Sequence, residues 1–269
     1  MYLDVEKKLG RGMWDPDEYR RFGDERSRPF FDLVARVAAE APRVVMDLGC
    51  GPGTLTAALA HRWPGAEVRG LDSSAEMIGA ARALPAGGDR RLSFALGDVR
   101  DWTPDGAVDV IISNAVLHWV PDHLAVLARW AGFVPGGGWL AVQIPGNADQ
   151  PGQRALRELA DSDRWRPLLA GVQLPRQAAA PAEYLDLVAR VGLKVDAWET
   201  TYLHVLHGDD PVVDWYAGTG LRPVLAALPP DRAAEFLDEY RARVSEAYPA
   251  ASYGTVFPFR RVFVVAVRR

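Results

Sequence analysis

Apolar positions along this chain follow two rhythms, and the changes of rhythm mark its elements. Short, mainly apolar segments at 44–48, 66–71, 92–97, 108–113 and 138–144, four of them with Asp or Asn beside their carboxyl ends, predict strands, the first of them buried. Between them the spacing becomes helical, as in the 54–60 stretch that follows the first run. Alternating strand and helix from 43 to 144 imply a parallel sheet with right-handed crossovers. Upstream, Asp15 with Pro16 predicts a helix start, and a second helix from Ser27 puts Phe30, Leu33, Val34 and Val37 on one face. Downstream, 147–190 reads as helices broken by Pro151, Pro167, Pro175 and Pro181, and 210–248 as a further helical block. The alternating stretches 194–206 and 261–267 predict an antiparallel pair that closes the sheet edge.

The expected architecture is an α/β fold: a mostly parallel sheet with one antiparallel edge strand, under a mainly helical lid. Residues 1–12 read as a frayed extension and 13–269 as one domain, with its core at 43–146, 191–207 and 261–269. The lid is expected from 13–40, 147–190 and 208–250. No internal repeat or low-complexity tract divides the chain.

The first strand runs into Asp47-Leu48-Gly49-Cys50-Gly51-Pro52-Gly53. Alternating glycines at the junction of a strand and a helix allow a sharp turn and close approach of a ligand to the backbone. A dinucleotide fingerprint requires Gly-x-Gly-x-x-Gly, but the sixth position from Gly49 is Thr54. Asp47 beside the loop would repel a pyrophosphate and suit a cationic ligand. Asp72 at the tip of the second strand is placed to accept both hydroxyls of a ribose. After the third strand, Gly97-Asp98 can accept from an adenine amino group through Asp98, with the Val99 N–H reaching a ring nitrogen.

Four motifs in this order, namely the glycine loop, Asp72, Gly97-Asp98 and Asn114-Ala115-Val116-Leu117-His118-Trp119, resemble the class I S-adenosylmethionine-dependent methyltransferases. The resemblance implies a Rossmann-like sheet that takes S-adenosylmethionine and releases S-adenosylhomocysteine. The implied cofactor residues are Asp47, Gly49, Gly51, Asp72, Ser73, Met77, Asp98, Val99 and Asn114, together with two that equally fit the scaffold, Trp14 as a cover and Arg28 as a partner of the cofactor's carboxylate or the substrate's.

Composition adds exclusions. A net charge of −4 without a basic run argues against nucleic acid, and no apolar run is long enough to span a membrane. The single cysteine, Cys50, excludes an internal disulfide and fits a reducing, cytoplasmic setting; a nucleophilic role for it lacks a neighbouring histidine. The five histidines show no metal-ligand spacing, so no metal is expected.

A narrower resemblance, to the trans-aconitate 2-methyltransferases, rests on Trp14-Asp15-Pro16-Asp17-Glu18-Tyr19, Glu25-Arg26-Ser27-Arg28-Pro29, Leu117-His118-Trp119-Val120-Pro121-Asp122-His123, Thr200-Thr201-Tyr202-Leu203-His204, Gly218-Thr219-Gly220-Leu221-Arg222-Pro223 and Phe257-Pro258-Phe259-Arg260-Arg261-Val262-Phe263. It implies methyl esterification of trans-aconitate or a similar small anionic polycarboxylate; a monomer or weak homodimer is expected. Such a substrate requires buried cations, and arginine binds carboxylates through two parallel hydrogen bonds. The substrate candidates are Trp119, Tyr202, His204, Arg222 and Arg261. Arg222 equally fits an exposed helix end, and Tyr202 and His204 equally fit ordinary packing. Strand alternation puts Arg260 and Arg261 on opposite faces, so at most one points inward, and Arg261 matches the family pattern. An ionised carboxylate needs no general base, so no catalytic residue is expected. The alternatives are a methyltransferase for a hydroxyl, for which a base such as His118 or His204 would matter, and an S-adenosylmethionine-binding protein without catalysis.

Overall fold

In the computed structural model, residues 27–84 and 91–269 are described; the extension at 1–12, the helix expected from Asp15, and Trp14 lie outside them. The five apolar runs form β1 (Val44–Leu48), β2 (Glu67–Asp72), β3 (Leu92–Leu96), β4 (Val110–Asn114) and β5 (Trp139–Pro145), all mutually parallel. Two long strands follow, β6 (Lys194–Leu206) and β8 (Gly254–Val267), with the short β7 (Ala250–Ala251) paired to β8. The sheet order is β3-β2-β1-β4-β5-β8-β6. The antiparallel strand is β8, which pairs with β5 on one side and β6 on the other, so β6 closes the edge. The order reverses between β1 and β4, where a doubly wound sheet opens a crevice beyond its carboxyl ends.

Alternation along the strands divides the core in two. Val45, Ile112, Ala141 and Phe263 face one way, against α1 (Arg28–Val34), α2 (Thr54–Arg62) and α3 (Ala75–Arg82). Met46, Ile111, Leu140 and Val262 face the other, against α4 (His123–Phe133) and α6 (Pro181–Arg190). Two helices expected in the lid thus lie on the sheet. Phe30 and Leu33 of α1, and Tyr184 and Val188 of α6, are fully buried there, because a sheet apolar on both faces needs cover on both.

The third cluster lies beyond the carboxyl ends. Strands β6 and β8 run on past the sheet as a two-stranded ribbon, and Phe257 and Phe259 at its far end carry α5 (Pro151–Ala160), α7 (Pro211–Ala217), α8 (Arg222–Ala227) and α9 (Pro230–Ser245). The prolines at 151, 181, 211 and 230 sit in the first turns of α5, α6, α7 and α9, where a missing N–H costs nothing. Those at 151 and 181, expected as breakers, therefore open helices. Among the described residues no helix is long and apolar enough to cross a membrane.

Candidate functional site

Two cavities open where β1 and β4 part, and they share a wall. The first, of about 620 Å³, is lined by the glycine loop and the ends of β2 and β3, including Gly49, Gly51, Asp72, Ser73, Met77, Asp98 and Val99. The second, of about 440 Å³, lies between the sheet and the helical cap, and includes Asn114, His118, Asn147, Gln153, Arg222 and Arg261. Ala115 and Trp119 line both.

The loop is held by the backbone N–H groups of Gly49 and Cys50, which both donate to Leu71 O at 2.7 and 3.0 Å. Gly51 has φ +55°, and a Cβ there would meet no protein atom within 4 Å although the residue borders the first cavity. Its missing side chain leaves room for a ligand. Gly53 differs: at φ +80° it opens α2, and a Cβ would come within 2.7 Å of Phe94 and 2.8 Å of Ala81.

Acids dominate the first cavity. Asp72 accepts from Gly51 N and Ser74 N, both at 2.9 Å, one on each carboxylate oxygen. This arrangement fixes the carboxylate and leaves each oxygen a further lone pair for a ligand hydroxyl. Asp98 is gripped by Arg100, whose Nη2 lies 2.6 Å from Oδ2 and whose N–H donates to Oδ1 at 2.8 Å. Those hydrogen bonds hold Asp98 below the usual carboxylate range. Arg100 was not foreseen; its spacing of two from Asp98 was the available clue.

Asp47 does not line either cavity. Alternation in β1 turns it to the face covered by α2, where it is buried and accepts from Thr56 Oγ1 at 2.7 Å. Burial pushes its pKa up to about 6, against the Thr56 hydrogen bond and with a smaller contribution from Asp72. Cys50 is buried as a thiol, its pKa raised by burial and by Asp47 and Asp72, which is the reverse of an activated nucleophile.

The second cavity has the opposite charge. Its described lining holds Arg176, Arg222 and Arg261 and no Asp or Glu. Arg261 is 6% exposed, and its guanidinium carbon stacks 4.2 Å above the Phe259 ring. Its hydrogen bond to protein is Nη1 to Gln143 Oε1 at 3.5 Å, its Nε has no partner, and among the described residues no carboxylate pairs with it. Burial pulls its pKa down to about 9, opposed by Tyr202. Arg260, on the other face, pairs with Glu199 at 2.6 Å. Lining the same cavity as Arg261 are buried polar atoms that also lack partners among the described residues: Asn114 Oδ1, His118 Nδ1, Asn147 Nδ2 and Gln153 Oε1. A cavity lined this way is built to be completed by a polar anion.

His118 is buried against Trp119, with ring centroids 4.9 Å apart. Burial, reinforced by the charges of Arg261 and His123, lowers its pKa to about 3, so the imidazole is neutral at physiological pH. Ala115, between the cavities, has the left-handed φ of 58° rare for a residue with a side chain, and its N–H donates to Gln143 O at 3.0 Å. Arg222 lies at the rim, more than half exposed, with Nη2 3.3 Å from Glu76 Oε2 on α3.

Like Asp47, three further candidates line neither cavity, and Asn114, expected at the cofactor, lines the second. Tyr202 donates to Asp32 Oδ2 at 2.7 Å and packs in the sheet core. His204 stacks on Trp215 at 5.1 Å, behind the cavity wall that Trp215 forms. Arg28 lies over Tyr202 at 5.1 Å and 3.8 Å from Asp32, outside the described lining of the first cavity. Tyr202 and His204 share a face of the ribbon with Arg261, as their register with Phe259 and Phe257 requires, but Tyr202 is taken up by Asp32 of α1 and His204 by Trp215 of α7. Gln143, Asn147, Gln153 and Arg176 were missed; Gln143 is a polar residue inside an otherwise apolar strand run, a signal that was present in the sequence.

Comparison with known proteins agrees with this geometry. A family model described as a methyltransferase domain matches residues 45–138. Trans-aconitate 2-methyltransferase of Streptomyces avermitilis is 52% identical over 259 residues, covering 94% of this chain and 96% of that protein. The protein of the same name from Mycobacterium sp. (strain KMS) is 50% identical over 257 residues, covering 94% and 99%. Among solved structures, the YcgJ protein of Bacillus subtilis superposes with a TM-score of 0.58 at 16% identity, over 90% of this chain and 98% of that one, a likeness of fold. Identity at this level over nearly the whole length, cap included, identifies the chain as a member of the trans-aconitate 2-methyltransferase family of class I S-adenosylmethionine-dependent methyltransferases.

Proposed function

We propose that the protein esterifies one carboxylate of trans-aconitate with the methyl group of S-adenosylmethionine. The observation that carries the substrate class is Arg261, a buried guanidinium facing a cavity with no described acidic residue. A buried cation without a carboxylate partner is costly in the free protein, and a bound carboxylate offsets that cost. The high identity to proteins named trans-aconitate 2-methyltransferase supports the particular acid.

The first cavity fits the cofactor. Asp72 would take the ribose hydroxyls, Asp98 and Val99 the adenine, and the space over Gly51 the backbone approach of the ligand, with Ser73 and Met77 along the wall. When bound, S-adenosylmethionine supplies a methyl group already activated as a sulfonium. The protein's own task is to hold the accepting carboxylate in line with that methyl at the shared wall of Ala115 and Trp119, and to exclude water. Alignment and desolvation can lower such a barrier by about 7–11 kcal/mol. Arg261 anchors a second carboxylate, and Asn147, His118 and Gln153 offer neutral partners for the rest of the acid. The accepting carboxylate is ionised at neutral pH and needs no base. His118 speaks against a hydroxyl substrate, because an imidazole held near 3 is too weak a base to take a proton from it. The reading places the enzyme in the cytoplasm, as a monomer or weak homodimer acting on a small anion.

The test is incubation with methyl-labelled S-adenosylmethionine and trans-aconitate, citrate, isocitrate or a phenol. Base-labile label, released as methanol, is expected from trans-aconitate. Label on the phenol alone would overturn the proposal.

A further inference from the structure

Arg261 is left unsatisfied because of the residue that faces it. Gln143 lies on β5 opposite Phe263 of β8, so Gln143 and Arg261 are diagonal neighbours on the same face of an antiparallel pair. Both are buried, Gln143 completely. The Gln143 amide spends its oxygen on the guanidinium at 3.5 Å, while its Nε2 has no partner. Through its backbone the same residue accepts from Ala115 N–H, which fixes the left-handed turn between the two cavities. Elsewhere on this ribbon the opposite choice is made: Arg260 has the diagonal neighbour Glu199 and is fully paired with it.

We propose that Gln143 is a specificity-determining residue: its neutral amide orients Arg261 without discharging it, and so reserves the guanidinium for a carboxylate of the substrate. A glutamate of the same shape would complete the ion pair inside the protein, as Glu199 does for Arg260, and remove the site's affinity for anions. An apolar residue would remove one weak hydrogen bond and leave the charge in place. The proposal rests on the reading of the second cavity as a carboxylate site, and its test keeps the two apart.

Gln143→Glu and Gln143→Met are compared with the wild type by three measurements: KM and kcat for trans-aconitate, the dissociation constant of S-adenosylmethionine by calorimetry, and the Arg261 Nε–H resonance in nitrogen-15 spectra, assigned by its loss in Arg261→Met. For Gln143→Glu the expected KM rises by about 100-fold or more, with cofactor affinity unchanged and the resonance displaced before any acid is added. For Gln143→Met the KM rises by less than about tenfold, and the resonance still moves when trans-aconitate is added. A wild-type KM in Gln143→Glu, or an equal loss in both variants, would overturn the proposal. Should the wild type esterify no trans-aconitate, the substrate reading falls, and the position of the free resonance in Gln143→Glu against Gln143→Met still decides whether Gln143 governs the charge of Arg261.

Discussion

Replacing Arg261 with methionine should make the protein more stable and nearly inactive. The native guanidinium is 6% exposed, faces no described carboxylate, and has its pKa pulled down to about 9 by burial. Holding the charged form there corresponds to a cost on the order of 5 kcal/mol relative to an arginine in water, at ~1.4 kcal/mol for each tenfold change in proton affinity. The sign is fixed by linkage. A base whose folded-state value is lowered binds fewer protons folded than unfolded above pH 9, so the folded state regains stability there and bears the full penalty at neutral pH. Methionine fills similar volume over Phe259 without the charge, and exchanges of buried charge for apolar packing gain about 1–4 kcal/mol. For a domain of this size, that is a rise of roughly 2–4 °C in Tm per kcal/mol. In the same variant the substrate loses its buried partner, which costs about 2–5 kcal/mol, or roughly 30- to 4,000-fold in kcat/KM for trans-aconitate. The assay pairs thermal melting at pH 7 with initial rates from labelled cofactor, and calorimetry confirms that cofactor affinity is kept. A Tm that falls by several degrees would refute the reasoning, because Arg261 would then hold the fold together; so would an unchanged rate.

Asp47→Asn should be stabilised by about 1–3 kcal/mol at pH 7, because the wild-type carboxyl, raised to about 6, loses stability as pH climbs from about 4 through 6; melting at pH 4, where both forms are neutral, should show no gain. With His118 held near 3, kcat/KM should show no limb between about pH 5 and 8 that vanishes in His118→Asn, and finding one in a pH–rate profile would contradict the neutral imidazole. Gly51→Ala should lower cofactor affinity by about 100-fold in calorimetry while costing only about 1 kcal/mol of stability, since its Cβ meets no protein atom. Gly53→Ala should instead cost about 1–3 kcal/mol in denaturant melts, its Cβ being driven into Phe94 and Ala81.

The strands were legible because the inner ones, buried on both faces, hold few polar residues, and four of the five runs carry Asp or Asn at their carboxyl ends. The same logic separated Arg260 from Arg261, since alternation is local and needs no knowledge of neighbours. It failed for Tyr202 and His204, which share the face of Arg261, because alternation says nothing of what packs over that face; Asp32 of α1 and Trp215 of α7 decide that. Asp47 was misplaced for a related reason: its position in the chain suggests the loop, but its side chain points at Thr56. The placement of α1 and α6 on the sheet was hidden because a helix that covers a sheet and one that caps a pocket carry the same apolar stripe. Asn147 and Gln153 acquire meaning only as unpartnered atoms around one void, and Gln143 only through the Arg261 that it touches there.

Opposite charge on the two sides of the Ala115–Trp119 wall bears on how a turnover ends. In the proposed reaction one unit of positive charge leaves the cavity of Asp72 and Asp98, and one unit of negative charge disappears in the cavity of Arg261. Each side then holds a molecule carrying less of the charge its walls favour than the one that entered, although the second carboxylate stays on Arg261. The charges that draw the reactants in thus hold the products less tightly once transfer is complete.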